Sequence, residues 1–305
     1  MRIGVLVLNY NAEKFLREAL NSLHAQSRAA DAVVVVDNGS DDDSLAMLER
    51  ERTRWPELRV VAQRNVGQLA GWQAGLRALA DVDIVAHLDS DDWYEPDYLG
   101  VVEAEFRARP STEIRFSSYR CVTDDGSYDV THPDTWIEGD FLRAVFTRYW
   151  RGSPTSMISA RHDIFEMLFA MVPHPSMLRA RADDLVVIGG AIMNLRRRTA
   201  SHVGVNYRIH GGNLYAGRPI IPWEEELRQR NALLRIIEPT RALVRSMTID
   251  ERRLFFEQEV EAIVREETDA WAVIDAFLRC LPVDDVERGE LALWADERLG
   301  AVRRG

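Results

Sequence analysis

The sequence has few cysteines and no long apolar run. Its two cysteines, Cys121 and Cys280, lie far apart in a chain of 305 residues. Their number and spacing exclude a disulfide framework and match no metal-binding pattern. No window approaches the length of about 18 apolar residues that a membrane-spanning helix needs. The apolar run at residues 3–8 is too short for a signal peptide and predicts a first strand. We therefore expect a cytoplasmic protein, with the inner face of the membrane as the alternative.

Basic residues are outnumbered by acidic ones. There are 38 Lys and Arg against 49 Asp and Glu, which gives a net charge of −11. Nucleic-acid binding requires a basic surface, so this balance excludes a nucleic-acid-binding protein. A phosphorylated small molecule would have to be held locally, by a metal ion, an arginine cluster or a helix N-terminus.

Two common nucleotide-binding motifs are absent from the sequence. A dinucleotide-dependent oxidoreductase would carry G-x-G-x-x-G after its first strand, where this chain has Asn9-Tyr10-Asn11 and no glycine. No G-x-x-x-x-G-K-[ST] phosphate loop occurs anywhere. These absences exclude the commonest alternative classes for a chain that alternates strands and helices.

The first third of the sequence alternates apolar runs with amphipathic segments. Strands are predicted at residues 3–8, 32–36, 58–61 and 82–88, with helices between them. Asn11 is placed to cap the first helix. This alternation implies right-handed crossovers and a mostly parallel central sheet flanked by helices, which is an α/β fold.

Each of these strands is followed by a polar residue. The four residues are Asn9, Asp37, Asn65 and Asp89. Because the carboxyl ends of parallel strands meet at one edge of a sheet, we expect these side chains to lie close together. That arrangement predicts a nucleotide-binding crevice.

The fourth strand ends in a cluster of acids. Asp89, Asp91 and Asp92 flank Ser90, and three carboxylates so close together repel one another unless a cation lies among them. Oxygen ligands suit Mg²⁺ or Mn²⁺, above all an ion that also binds a diphosphate. The alternative is an acidic turn that caps the helix predicted near Pro96.

Four segments together resemble glycosyltransferase family 2. They are residues 7–11, 35–40, 64–67 and 88–92, and the last of them has the D-x-D form. The resemblance implies the GT-A fold, a nucleotide-diphosphate sugar as donor, and transfer with inversion. One departure is Trp72-Gln73, where family members commonly carry Arg-Asn. That departure leaves open the part that this segment plays around the donor.

Two later segments extend the resemblance. Asp183 and Asp184 resemble the family's Glu-Asp motif, in which the second acid is the general base, and this implies that Asp184 is the base. The alternative is that both acids only stabilise the start of a helix. Residues 204–213 resemble the family's Tyr-Arg-x-His segment, which implies that Arg208 contacts the diphosphate and that His210 binds the metal. A purely structural hydrogen bond is the alternative for His210.

The resemblance implies a complete site. Asp184 is its catalytic residue, and Asp91 and His210 are its ligands for Mn²⁺ or Mg²⁺. Asp37 would bond the base ring of the nucleotide, and Asp89 would bond the ribose. The residues implied in donor binding are Asn9, Tyr10, Asn11, Asp37, Asn65, Asp89, Ser90 and Arg208.

The implied function is transfer of a sugar from a nucleotide-diphosphate sugar to a hydroxyl of a saccharide or lipid-linked acceptor. Such a reaction belongs to cell-surface polysaccharide or glycoconjugate synthesis. One alternative is a nucleotidyltransferase, although the glycine-rich basic first loop expected of that class is missing. The other is a non-catalytic nucleotide-sugar-binding protein, which would be expected to lose one of the acids.

Three regions are predicted along the chain. They are a nucleotide-sugar-binding half at residues 1–110, an acceptor-binding half at 111–220 and a helical extension at 221–305. The extension is interpreted as two or three long helices that end near Arg298. Thr248 and Glu251 have the T-x-x-E form of a capping box at one helix start. A subdomain packed on the core is the expected role, with a homo-oligomer contact or a peripheral membrane contact as alternatives.

Overall fold

The computed structural model describes residues 1–147, 150–172, 174–213, 223–266, 269–281 and 283–302. The chain divides into two compact units. The first contains Met1–Trp136, Gly152–Val186 and Arg196–Leu233, and the second contains Ile137–Arg151, Val187–Leu195 and Leu234–Gly305. The predicted boundary between residues 220 and 221 lies outside the described residues.

Strands and helices alternate through the first part of the chain, as the sequence predicts. The order is β1 Ile3–Asn9, α1 Glu13–His24, β2 Ala32–Asp37, α2 Ser44–Arg52, β3 Leu58–Ala62, α3 Gln68–Ala78 and β4 Ile84–Asp89. The order continues with β5 Trp93–Tyr94, α4 Tyr98–Ala108, β6 Ile114–Thr123, β7 Gly126–Val130, β8 Thr135–Ile137, α5 Phe141–Thr147, β9 Ile158–Arg161, α6 His162–Ala170, α7 Ala182–Ile192 and β10 Arg197–Arg208.

The ten strands form one mixed sheet. Its order is β3-β2-β1-β4-β9-β6-β10-β5, with β7 paired to β6 and β8 paired to β10. Strands β1 to β4 are parallel to one another, which confirms the arrangement predicted for this part of the chain. Strand β9 runs antiparallel between β4 and β6, while β6 and β10 are parallel. The whole is a mixed α/β fold with helices on both faces of the sheet.

The central strands are apolar on both faces because helices cover both sides of the sheet. Helices α1 and α4 pack on the face that carries Val5 and Val7. Helix α3 packs on the opposite face, where Leu6 and Val36 lie against Gly75. The polar residues at the carboxyl ends of these strands are thereby presented at one edge of a rigid layer.

The prediction that Asn11 caps the first helix was wrong. Helix α1 begins at Glu13, and Asn11 lies before it with a φ of 50°. The Asn11 Oδ1 atom instead accepts a hydrogen bond of 2.9 Å from the backbone N–H of Asp41. A carboxylate from the loop after β2 takes over the capping role, since Asp42 Oδ2 accepts a bond of 3.0 Å from the N–H of Glu13.

The second unit is helical. Besides α5, it contains the C-terminal part of α8 Trp223–Ser246, and α9 Ile249–Glu266, α10 Ala270–Cys280 and α11 Asp285–Val302. Three of these helices, α8, α9 and α11, have 18 residues or more, in agreement with the two or three long helices predicted, and the shorter α10 is an addition. Two aspartates provide helix starts: Asp269 accepts from the N–H of Ala272 at 3.3 Å, and Asp284 from that of Glu287 at 2.8 Å. The predicted capping box is confirmed, with Thr248 and Glu251 bonded in both directions.

A buried ion pair lies in the core of this helical unit. Arg143 Nε of α5 lies 2.9 Å from Glu259 Oε2 of α9, and both side chains are buried. The other oxygen of Glu259 accepts a hydrogen bond of 2.6 Å from the N–H of Leu142. Because every such bond offsets the desolvation of the charges, the pair holds α5 on α9 in one position.

Within the described residues, no helix combines the length and the apolar character needed to cross a membrane.

Gly75 sets the distance between α3 and the sheet. A Cβ atom at this position would lie 2.7 Å from Cγ and Cδ1 of Leu6 and 3.0 Å from Cγ2 of Val36. We expect Gly75→Ala to lower the free energy of unfolding by about 1–3 kcal/mol, because overpacking forces buried side chains out of their preferred rotamers. Urea unfolding followed by circular dichroism measures the change.

Gly100→Ala, in α4, is the matched control for Gly75→Ala. A Cβ there would meet only Arg28 Cβ at 3.7 Å, which is ordinary contact. This variant should raise the free energy of unfolding by about 0.4–1 kcal/mol, since alanine reduces the entropy of the unfolded chain. A Gly75→Ala protein as stable as the wild type would contradict the close packing of α3 on β1.

Candidate functional site

The ends of β1 and β2 are joined by buried polar side chains. Asn9 and Asp37 lie opposite each other in the parallel ladder. Asn9 Nδ2 donates to Asp37 Oδ2 at 3.0 Å and to Ser40 Oγ at 3.1 Å, and neither Asn9 nor Asp37 is exposed beyond 1%. The structure thus brings together the first two strand-end residues that the sequence singles out.

Residues of the loop after β2 connect these polar side chains to Asn65. Asp37 Oδ1 accepts hydrogen bonds from the N–H groups of Gly39 at 3.2 Å and Ser40 at 3.0 Å. Gly39 has a φ of 82°, and a Cβ on it would lie 2.8 Å from the backbone N of Asn65. Only glycine fits such a close approach in the left-handed region. Asn65 Oδ1 in turn accepts from Asn38 Nδ2 at 3.4 Å.

The two residues after Asn9 lie at the rim of the cluster. The side chain of Tyr10 is 52% exposed, which is high for an aromatic ring. Asn11 is exposed and donates its backbone N–H to Ser40 Oγ at 3.0 Å. The strand-end cluster therefore has a buried polar floor and an exposed aromatic edge.

Asp92 is the most deeply held of the predicted acid cluster. It is 1% exposed, and its Oδ1 accepts a hydrogen bond of 2.9 Å from the backbone N–H of Arg208. Its Oδ2 accepts from the hydroxyl of Ser156. Burial, together with the charges of Asp91 and Asp89, raises the pKa of Asp92 well above its usual range. The side chain joins the end of β4 to the segment before β9 and to the end of β10.

Asp89 and Ser90 lie at the end of β4. The backbone N–H of Asp89 donates to Ser156 Oγ at 3.0 Å, and that of Ser90 donates to the carbonyl of Leu8 at 3.2 Å. Burial and the neighbouring Asp91 and Asp183 raise the pKa of Asp89 well above its usual range, against a hydrogen bond from Thr155. A cation placed among these carboxylates would relieve part of their repulsion.

Asp91 and His210, the two predicted metal ligands, are in direct contact. Asp91 Oδ2 lies 3.0 Å from His210 Nε2, and it accepts a bond of 3.3 Å from Asn213 Nδ2. Both side chains are partly exposed, at 24% and 22%. Within the described ranges, no group of three or more His, Cys, Asp or Glu side chains is arranged to hold a metal ion. The pair offers two protein ligands at most.

The guanidinium of Arg208 contacts two aromatic rings. Its guanidinium carbon lies 4.5 Å from the ring centre of Trp93 and 4.9 Å from that of Phe15. Its Nε donates to the carbonyl of Asp91 at 2.9 Å, and its Nη2 pairs with the exposed carboxylate of Glu18 at 2.5 Å. An anionic ligand would have to compete with Glu18 for this guanidinium.

The predicted acid pair lies at the start of α7. Asp184 is 3% exposed, and its Oδ1 is 2.9 Å from Arg181 Nη2. Asp183 is partly exposed, and burial first, then the charge of Asp184, raises its pKa to about 7, against the opposing effect of Arg181. Arg181 itself has a φ of 54°, a strained value for a residue with a side chain. The two acids therefore occupy different environments.

Gln68 connects the acid pair to the acid cluster. At the start of α3, its Oε1 accepts from the N–H of Ala182 at 2.8 Å, and its Nε2 donates to Thr155 Oγ1 at 3.4 Å. Its own N–H donates to the carbonyl of Arg179 at 2.8 Å. Thr155 in turn hydrogen-bonds Asp89. One amide side chain thus positions the start of α7 relative to the end of β4.

Trp72 is a core residue. Its ring is fully buried, 4.1 Å from that of His87 and 5.9 Å from that of Phe169. Burial lowers the pKa of His87 to about 3, so its imidazole is neutral near pH 7. Where family members commonly carry the arginine of an Arg-Asn pair, this chain therefore has a tryptophan that packs in the core.

Several residues of the site carry no sequence signal of their own. Ser156 and Gln68 act through contacts with residues that are distant along the chain, and neither forms a motif with its neighbours. The same holds for Glu18, Thr155 and Arg181. Asn38, Ser40 and Asn213 lie inside segments that carry the family resemblance, although the resemblance implies no role for them.

Comparison with known proteins gives a consistent result. Residues 4–151 match the family model described as glycosyl transferase family 2. An uncharacterized glycosyltransferase of Nostoc sp. is 26% identical over 236 residues, which cover 75% of this chain and 71% of that protein. Chondroitin synthase of Escherichia coli is 27% identical over 125 residues, which cover 41% of this chain and 18% of that protein. The aligned part of this chain thus spans less than a fifth of the length of that chondroitin synthase.

Solved structures share the fold. The crystal structure of S. aureus TarS 1-349 in complex with UDP-GlcNAc matches with a TM-score of 0.58 at 19% identity, over 92% of this chain and 82% of that one. The crystal structure of GalNAc-T7 with UDP, GalNAc and Mn2+ matches with a TM-score of 0.52 at 11% identity, over 69% and 44%.

Gln68→Ala tests the link between α3 and α7. The variant removes the acceptor for the N–H of Ala182 and the donor to Thr155. We expect the free energy of unfolding to fall by about 1–3 kcal/mol, because buried partners are left unsatisfied. Hydrogen exchange should accelerate at residue 182, as measured by mass spectrometry.

The control is Gln73→Ala, also on α3. The side chain of Gln73 donates a hydrogen bond of 3.4 Å to the carbonyl of Phe169, which lies in α6 and not in α7. Exchange at residue 182 should stay at the wild-type rate in this variant. If both variants gave the same exchange at residue 182, Gln68 would not be the residue that holds the start of α7.

Proposed function

Since the chain belongs to glycosyltransferase family 2, we propose that it transfers a sugar from a nucleotide-diphosphate sugar to an acceptor hydroxyl, with inversion and with the help of a divalent cation. One observation carries the proposal. The strand-end cluster around Asn9 and Asp37 and the Asp91–His210 pair lie at the carboxyl edge of the same parallel strands. In open α/β sheets this edge is where ligands bind.

The nucleoside is proposed to bind at the ends of β1 and β2. Asp37 would bond the base ring and Asp89 the ribose, with Asn9 and Asn65 as the polar floor. Tyr10 offers its exposed ring at the edge, with Asn11 beside it. The S. aureus TarS structure contains UDP-GlcNAc, so UDP-sugars are the first donors to test.

The metal ion is proposed to bind at Asp91 and His210. Mg²⁺ and Mn²⁺ sites that also hold a diphosphate use one or two protein ligands, and phosphate oxygens and water complete the coordination. The Asp91–His210 pair fits that requirement, and Asn213 orients the carboxylate. When bound, the cation neutralises charge that develops on the leaving diphosphate. The GalNAc-T7 structure contains Mn2+, which favours this ion for the first tests.

Arg208 and Ser90 are proposed to complete the diphosphate site. Contacts with the rings of Phe15 and Trp93 help to hold the guanidinium of Arg208 in place before any ligand binds. Such a pre-positioned fork suits bidentate binding of phosphate oxygens. Binding would exchange the exposed carboxylate of Glu18 for the diphosphate, which costs little because an exposed ion pair is weak.

Inversion needs a general base on the acceptor side. The acceptor oxygen attacks the anomeric carbon from the face opposite the diphosphate, and its proton passes to a carboxylate. The acid pair at the start of α7 supplies that carboxylate, and the family resemblance points to Asp184. The donor-binding half would be residues 1–110 and the acceptor-binding half residues 111–220, with a helical extension at 221–305.

We place the reaction in polysaccharide or glycoconjugate synthesis, on a saccharide or lipid-linked acceptor. The similarity to E. coli chondroitin synthase supports a polysaccharide, although it extends over only 41% of this chain. A cytoplasmic enzyme, working at the inner face of the membrane if its acceptor is lipid-linked, is consistent with this role. The C-terminal helices are proposed as the contact between copies of the chain.

A donor screen tests the function. UDP-, dTDP- and GDP-sugars are added with Mn²⁺, and the shift in melting temperature is measured. A true donor stabilises the folded protein by mass action, about 2.7 kcal/mol at a hundredfold excess over Kd. Release of the nucleoside diphosphate from the same sugars then separates an enzyme from a binding protein. A protein that no nucleotide sugar stabilises would refute the proposal.

Asp91→Asn and His210→Ala test the metal site. Each removes one of the two proposed protein ligands, so the affinity for UDP in the presence of Mn²⁺ should fall by at least about tenfold. Binding in the presence of EDTA should be weak and similar for the wild type and both variants. Isothermal titration calorimetry measures both conditions.

His202→Ala is the matched control for His210→Ala. His202 Nε2 lies 3.2 Å from Asp97 Oδ2, so it forms a histidine–aspartate pair of nearly the same geometry outside the strand-end cluster. UDP affinity with Mn²⁺ should not change in this variant. Equal UDP binding by the wild type with Mn²⁺ and with EDTA would show that the metal role is wrong.

A further inference from the structure

Helix α1 contributes two side chains to the surroundings of Arg208 and His210. Phe15 and Glu18 are three residues apart in the helix, so their side chains are neighbours on its surface. The centre of the Phe15 ring lies 4.9 Å from the guanidinium carbon of Arg208 and 4.5 Å from the centre of the His210 ring. Glu18 Oε2 lies 2.5 Å from Arg208 Nη2. This part of α1 therefore borders the proposed diphosphate site.

The guanidinium of Arg208 is anchored on one side and paired with an exposed acid on the other. Its Nε donates to the backbone carbonyl of Asp91 at 2.9 Å. Its Nη2 pairs with Glu18, whose side chain is 53% exposed, whereas that of Arg208 is 20% exposed. Among the described residues, Arg208 Nη1 has no hydrogen-bond partner. A ligand can therefore replace Glu18 while the bond to Asp91 keeps the guanidinium in place.

A glutamate carboxylate and a diphosphate offer the same chemistry to this guanidinium. Both are oxyanions that accept charge-assisted hydrogen bonds from the planar fork of an arginine. The Nη2 position that Glu18 occupies is one that a phosphate oxygen would take. Because the carboxylate of Glu18 is exposed, it can turn into water when a phosphate displaces it. An exposed pair of this kind is weak, and it changes an equilibrium constant by no more than about fivefold.

We infer that Glu18 is a competing counter-ion for Arg208, which weakens the binding of the nucleoside diphosphate product and speeds its release. Glu18 pairs with Arg208 before the donor binds, gives way to the diphosphate, and returns to Arg208 as the product leaves. The step exchanges one ion pair for another and makes or breaks no covalent bond. The inference rests on the proposed function.

Sugar transfer itself makes such a competitor useful. When the bond to the sugar breaks, its electron pair stays on the terminal phosphate, so the product carries more negative charge than the diphosphate of the donor. The attraction of that product to Arg208 therefore increases at the stage when it has to leave. Product release limits turnover in many enzymes. A carboxylate that is held beside the same guanidinium lowers the cost of letting the product go.

The test compares Glu18→Gln with the wild type. UDP, dTDP and GDP are titrated with Mn²⁺ by isothermal titration calorimetry, and the tightest binder of the wild type is the probe. Glu18→Gln should lower the Kd of this probe by about two- to fivefold, because its neutral amide no longer competes for Arg208. Stopped-flow measurement should show a release rate that is lower by a similar factor, since affinity differences of this kind are mostly in the dissociation rate. The melting temperature should not change.

Three controls assign the effect to the pair with Arg208. In an Arg208→Gln background, Glu18→Gln should leave the Kd unchanged, because the two residues act through one contact. In 0.5 M NaCl, roughly a 4 Å Debye length, the ratio of the two Kd values should approach one, because salt screens an exposed pair. Glu51→Gln is the matched variant, since Glu51 Oε1 lies 3.5 Å from Nη1 of Arg17, also on α1. It removes the same charge, and its Kd and release rate should equal those of the wild type.

The outcomes distinguish this inference from the proposed function. A Glu18→Gln protein that binds the diphosphate no more tightly than the wild type would overturn the inference and leave the proposed function standing. So would a gain in affinity that persists in full in the Arg208→Gln background, because the effect would then not pass through Arg208. A wild type that binds none of the three diphosphates would overturn the proposed function, and with it the inference.

Discussion

The buried carboxylate of Asp92 is the constraint on which the candidate site depends. It follows β4, accepts a hydrogen bond from Ser156 before β9, and accepts another from the backbone N–H of Arg208 at the end of β10. Burying a carboxylate is costly unless hydrogen bonds satisfy it, so these three parts of the chain are stable only when they are together. Asp92 thereby holds the end of β4, which precedes Asp91, next to the end of β10, which precedes His210.

The fold and the ligand edge could be predicted because their signals are local. A buried parallel strand is a short apolar run, and the polar residue that ends it is its neighbour in sequence, as at Asn9, Asp37 and Asp89. The register of β1 against β2 and β4 then places those residues at one edge without further information. The start of the shorter helix α10 at Asp269 was also a local signal, and the apolar periodicity around it concealed it.

The supporting contacts could not be predicted because they join residues that are distant in sequence. Gln68 lies on α3, and its partners lie before β9 and at the start of α7. Asp42 caps a helix that precedes it in the chain, which displaces Asn11 from that role. Each such contact satisfies a buried or terminal backbone group, but which of several polar side chains does so is decided by tertiary packing. A sequence pattern therefore shows that a backbone group needs a hydrogen-bond partner, but not which side chain provides it.

The site repeats one arrangement at two places. In each of two pairs of adjacent aspartates, the second member is buried and held: Asp92 by Ser156 and the Arg208 N–H, and Asp184 by Arg181. The first member, Asp91 or Asp183, is partly exposed. Neighbouring carboxylates repel each other, and donors on the buried member offset part of that repulsion. The exposed member is thereby held in a fixed position.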